Sequence, residues 1–112
     1  MRYDVMRHKD VSEQVLLILL SLAEEPRHGY AILKDVEGLS GGRIRLSTGT
    51  LYGALRRLLE DGWIEFFAEK DASRDRQAYR LTRAGRAALN AEVSRMKLLA
   101  KVASLRLSRT EA

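Results

Sequence analysis

The last quarter of the chain places the strongest constraint on its fold. From Thr82 onward, Leu89, Val93, Met96, Ala100, Ala103 and Leu107 recur at alternating spacings of four and three, and Leu98, Val102 and Leu105 form a second stripe beside them. That alternation keeps side chains along one side of an α-helix, so the spacing predicts a single helix of about 25 residues with Thr82 as its N-cap. A chain of 112 residues has room for one compact domain besides such a helix. A domain that small cannot cover two apolar stripes, so the helix needs a partner, most simply a second copy of itself. Residues 82–112 are therefore read as a C-terminal dimerisation helix, with the first six residues named above as its contacts.

Upstream, the hydrophobic periodicity changes several times. Ser12 stands where an N-cap would, and Val15, Leu16, Leu19, Leu20 and Leu22 are spaced for a buried helix that Pro26 would end. A second helix is expected from about His28 to Glu37, with Tyr30, Leu33, Val36 and Ile32 facing inward and "GLSGG" as the stop. Arg43 to Leu46 alternates like a very short strand. Leu51, Leu55, Leu58 and Leu59 then mark one face of a third helix, which Gly62 can close in the left-handed conformation. Trp63 to Glu69 and Gln77 to Leu81 read as a hairpin with the charged tip "KDASRDR". Met1 to Asp10, mixed and charged without clear periodicity, reads as a flexible arm or a short lead-in helix.

Helix, helix, short strand, helix and hairpin, in that order, describe a winged helix-turn-helix of mainly α (α+β) class. Residues 1–81 form the expected DNA-binding domain with its N-terminal arm. In such a domain the third helix enters the major groove and the hairpin lies along the backbone.

Composition narrows the chemistry. There is no cysteine, so disulfides, a thiolate nucleophile and cysteine-ligated zinc are excluded. His8 and His28 stand twenty residues apart with no ligand spacing around them, and no metal or other cofactor is expected. No nucleophile elbow, phosphate loop or paired-carboxylate spacing is present, so no enzyme is expected. The longest apolar run, Val15 to Leu20, is too short to span a membrane and no secretory pattern opens the chain; a cytoplasmic protein is expected.

The formal charge of +5 is unevenly spread. Residues 1–69 hold nine Lys/Arg against eleven Asp/Glu, whereas residues 70–112 hold eleven against four. Clustered basic charge points to a polyanionic partner, chiefly nucleic acid, or simply to solubility of a small domain; with the winged-helix order the expected partner is double-stranded DNA.

The stretch "LSTGTLYGALRRLLEDGWIE" carries the sharpest functional signal. Ser47, Thr48, Gly49 and Thr50 lie in the first turn of its helix, where unpaired N–H groups and the helix dipole attract phosphate. Tyr52 and Arg56 share a face away from the leucines, Gly49 and Gly53 admit a close backbone approach, and Arg57 adds a second cation. Lys70, Arg74 and Arg76 cluster at the hairpin tip, within reach of a phosphate or minor groove. With Arg43, Arg56, Arg57, Arg74 and Arg76 all on phosphates in two subunits, the log–log salt slope would approach about −9.

The phrases "VLLILLSLAEEPRHGYAI", "LSTGTLYGALRRLLEDGWI" and "SRDRQAYRLTRAG" occur in the order and at the spacings of PadR-type transcriptional regulators, and the chain resembles that family from Ser12 to Gly85. The last helix resembles the dimerisation helix of its short-tailed members. The resemblance implies a repressor, places Arg74 and Arg76 on the basic positions of the wing, matches Gly29 and Tyr30 to packing positions, and implies a small-molecule effector as a further possible partner. The hairpin tip lacks the glycine many relatives carry, and no aromatic residue follows Thr82. The alternative from another class is a winged-helix module whose basic face meets an acidic protein.

Overall fold

A computed structural model describes residues 11–67 and 77–111. The expected arm at 1–10 and the hairpin tip, with Lys70, Arg74 and Arg76, lie outside the described residues.

The first helix, α1 (Glu13–Ser21), is capped by Ser12, whose hydroxyl accepts a hydrogen bond from the Val15 amide at 3.1 Å. Ile18, Leu19 and Leu22 are fully buried. The helix stops well before Pro26, and two arginines rather than the proline satisfy the carbonyls at its end. Arg27 Nε donates to the Ser21 carbonyl at 2.7 Å, and Arg86 Nη2 donates to the Ala23 carbonyl at 2.8 Å. Guanidinium groups suit this position because a helix C-terminus carries partial negative charge.

A two-residue strand, β1 (Arg27–His28), leads into α2 (Gly29–Leu39), which buries Gly29, Ile32 and Val36. Tyr30 departs from the expected inward face: it is 70% exposed, with Lys34 Nζ 5.8 Å from its ring centroid. One residue past the buried Gly29, a 100° turn of the helix carries the ring out of the core.

The third helix, α3 (Thr48–Glu60), turns Leu51, Leu55 and Leu58 into the core. Gly62 follows with φ 78°, the left-handed conformation that closes the helix. Strands β2 (Ile64–Phe67) and β3 (Ala78–Leu81) then form the hairpin. The sheet runs β1-β3-β2, all antiparallel, with Arg27 opposite Tyr79, Phe66 opposite Tyr79 and Ile64 opposite Leu81.

The third strand is thus Arg27–His28, not the expected Arg43–Leu46, which stays irregular. Alternation makes a strand only where the segment lies along a sheet edge, and the strand paired with the free side of β3 is β1. Arg43 and Arg45 instead reach carboxylates: Arg43 Nη1 donates to Glu13 at 3.2 Å, and Arg45 Nε lies 3.2 Å from Glu37.

The last helix, α4 (Arg83–Glu111), is about 43 Å long at 1.5 Å per residue. Thr82 starts it as expected, accepting from the Gly85 amide at 3.0 Å. The same hydroxyl donates to the Gly62 carbonyl at 2.6 Å, and the Thr82 amide donates to the Trp63 carbonyl at 3.0 Å. Leu89 is buried in the core of its own subunit and Val93 packs partly against it. From Met96 on the helix leaves the domain: Met96, Leu98, Leu99, Val102, Leu105 and Leu107 are all exposed large apolar residues, and Ala100 and Ala103 are exposed with them.

Candidate nucleic-acid interface

The polar face of α3 is open along its length. Ser47, Thr48, Gly49, Thr50, Tyr52, Gly53, Arg56 and Arg57 are all exposed, opposite the buried leucines. Ser47 caps the helix, accepting from the Thr50 amide at 3.1 Å, and donates its own proton to the Thr50 hydroxyl at 2.9 Å. Capping therefore occupies Ser47 but leaves the Thr50 hydroxyl proton for an outside acceptor.

Gly49 and Gly53 form the floor of this face. Among the described residues, a Cβ added at either would meet nothing within 4 Å, so their packing gives no reason for glycine. Two glycines inside a helix cost about 0.5–1 kcal/mol each relative to alanine. Their one structural effect is to lower the surface between the flanking side chains.

A groove of about 600 Å³ runs between this face and the start of α1. Gly49, Thr50, Gly53 and Arg57 of α3 line it together with Val11 and Val15, and Asp61 and Trp63 also contribute. Tyr52 lies on the opposite flank. Its hydroxyl occupies the space where a side chain on Gly29 would begin, so a residue from the first turn of α2 fixes the ring. Tyr52 remains 45% exposed. Beneath it, Tyr79 packs against Phe66 with ring centroids 5.4 Å apart. Burial raises the Tyr79 phenol above its ordinary pKa, and the neighbouring Tyr52 raises it further.

Charge on this side of the molecule is sorted. Arg43 pairs with Glu13, Arg45 with Glu37, Arg27 with Glu25 and Asp35, and Arg80 with Glu65 at 2.8 Å. Arg80 also stacks 5.2 Å from the Phe67 ring, so the described base of the hairpin is electrically balanced. Arg56 and Arg57 are held in no ion pair among the described residues. Arg43, counted among the phosphate contacts from sequence, thus arrives with its own carboxylate. The family resemblance matches Gly29 to a packing position, but that Tyr52 is what packs on it was not visible in the sequence. Among the described residues no three His, Asp or Glu side chains gather at a metal-binding distance. No helix among them is long and apolar enough to cross a membrane.

Solved structures share this architecture. A PadR family transcription regulator from Clostridium difficile superposes with a TM-score of 0.70 at 26% identity, over 86% of this chain and 99% of that one. A transcriptional regulator from Clostridium thermocellum gives 0.68 at 27% identity, over 90% and 92%. Bacillus subtilis PadR in complex with operator DNA gives 0.60 at 23% identity, over 70% of this chain and 45% of that one, and shows the shared fold. In sequence, an uncharacterized 37.1 kDa protein in transposon TN4556 of Streptomyces fradiae is 42% identical over 84 residues, 75% of this chain. The chain spans about a quarter, 23%, of that relative's length. The family model for PadR-like transcriptional regulators matches residues 18–91, which run from α1 through the hairpin into α4. Family members are transcription regulators rather than enzymes, and on this match, with its winged-helix fold, the chain belongs to the transcriptional regulator PadR-like family.

Proposed function

We propose that this chain is a sequence-specific DNA-binding regulator, a repressor that meets a pseudo-palindromic operator as a homodimer. The observation that carries the reading is the exposed floor of α3. Gly49 and Gly53 weaken the helix and serve no contact among the described residues, yet they lie between Tyr52, Arg56 and Arg57, where a DNA backbone or base edge would need room. Ser47, Thr48 and Thr50 supply hydroxyls and amides to the same face. Lys70, Arg74 and Arg76 extend the contact to the neighbouring backbone in this reading. Val93, Met96, Ala100, Ala103 and Leu107 join the two subunits, continuing the face on which Leu89 packs at home. α4 carries no aromatic ring, so a small-molecule effector that releases the operator would stack elsewhere.

Selection of duplexes from a randomised library by the purified protein at ~0.15 M salt tests the reading, because non-specific affinity is weak there. Enrichment of an inverted repeat with half-sites ~34 Å apart or a multiple of that is the expected result. No enrichment, with binding of any duplex only at low salt, would favour the acidic protein partner instead. With Arg43 set aside, Arg56, Arg57, Arg74 and Arg76 of two subunits give a limiting salt slope of about −7.

A further inference from the structure

A tyrosine on an exposed helix face has many places to lie; Tyr52 lies against the neighbouring helix. Its hydroxyl rests against the bare Cα of Gly29, the first residue of α2, and its phenol is close enough to that of Tyr79 for the two charges to be felt. One residue along α2, Tyr30 projects outward with 70% of its surface exposed, and Lys34, one turn further, lies over that ring. The acids of α2 that could neutralise Lys34 are engaged elsewhere, Asp35 beside Arg27 at 3.9 Å and Glu37 beside Arg45 at 3.2 Å. The seam between α2 and α3 therefore presents two phenolic hydroxyls and an ammonium group, with no unpaired carboxylate on α2.

We infer that Tyr52, Tyr30 and Lys34 form one phosphate-binding shelf, with Gly29 as the positioning residue that lets Tyr52 lie across it. The chemistry is that of a DNA backbone: hydroxyl donors and a cation suit phosphate oxygens and carry no base code. The shelf supplements the Arg56 and Arg57 face and rests on the DNA-binding reading above. It also assigns Tyr52 to orientation rather than to base recognition. A ring whose hydroxyl end is seated on α2 is placed to hold the docking angle of α3.

The test uses the full chain with two probes, the duplex enriched by selection and a random-sequence duplex of equal length, titrated across a salt series. Lys34→Gln should weaken both duplexes by the same factor and flatten the slope by about 2 for a dimer, one phosphate per subunit. Tyr30→Phe should weaken both several-fold. Gly29→Ala should lower affinity as Tyr52→Phe does, and the double variant should be no weaker than Gly29→Ala alone, since both changes act on one contact. Gly29 has no positive φ, so alanine suits its backbone, and a melting curve checks that the fold survives. Should that variant unfold, Lys34→Gln and Tyr52→Phe carry the test. The shelf is overturned if Lys34→Gln leaves the slope unchanged while Arg57→Gln flattens it, or if Lys34→Gln and Tyr52→Phe weaken one sequence and spare the other. Loss of all binding preference in the unaltered chain would instead sink the DNA-binding reading itself.

Discussion

Gly85, in the first turn of α4, lies so close to the backbone carbonyl of Trp63 that a methyl group cannot enter between them. The obstacle is main chain that is already hydrogen bonded to the Thr82 amide, so it cannot swing aside as a side chain would. Gly85→Ala should therefore destabilise the fold by about 2 kcal/mol or more, read as a lower denaturant midpoint.

Gly49 and Gly53 should behave in the opposite way. Alanine at either position meets nothing among the described residues and strengthens α3, so each substitution should raise stability by about 0.5–1 kcal/mol. Each should also weaken the selected duplex, because the floor of the interface rises by a methyl group. Unchanged DNA affinity in both stabilised variants would remove the main support for the proposed role of α3.

The stripe along α4 should divide at Val93. Leu89→Ala empties part of the core and should cost about 2–4 kcal/mol in unfolding experiments. Met96→Gln with Leu107→Gln touches no core residue and should leave the subunit folded while reducing its sedimentation coefficient to that of a monomer. A variant that stays dimeric would place the interface on another surface.

The ends of the pH range should report two different contacts. Hydrogen bonding from Arg43 lowers the Glu13 pKa, so its stabilisation is present above the ordinary glutamate value and is lost as pH falls through the lowered one. Glu13→Gln should remove that part of the acid dependence; both groups are exposed, so the effect on stability at neutral pH is small. Burial raises the Tyr79 pKa. Its contribution is full below about 10, the unfolded phenol value, and is lost as pH rises through the folded one. Tyr79→Phe should flatten the alkaline limb of a stability-versus-pH curve.

Local chemistry made part of this fold readable. Ser12, Ser47 and Thr82 cap helices because each offers an oxygen to an unpaired amide three residues on, and that requires nothing beyond the chain nearby. The leucines of α3 face inward because their spacing allows little else. The candidate face of α3 was readable for the same reason, as the remainder left when the leucines are buried. What depended on distant partners was not readable. Arg27–His28 is a strand only because β3 lies beside it, and nothing in two residues marks that. Arg43–Leu46 alternates like a strand, yet its arginines reach carboxylates 30 and 8 residues away in sequence, Glu13 and Glu37. Tyr30 was expected inside by its apolar ring, while the smaller Gly29 holds the inner position. Leu89 belongs to the apolar stripe of α4, but whether such a leucine faces home or a partner depends on where the helix leaves the domain.

The root of α4 is fastened on two sides, by Arg86 to the end of α1 and by Thr82 and Gly85 to the turn that follows α3. Such a helix acts as a rigid boom. Swinging it by about 5° at the root carries its far end roughly 4 Å sideways over its ~43 Å length. In a pair of subunits joined along α4, the distance between the two α3 helices would follow that angle. Under the proposed pairing, the gap between operator half-sites would then be set by the angle at this root, where Gly85 and Thr82 press against the Gly62–Trp63 backbone.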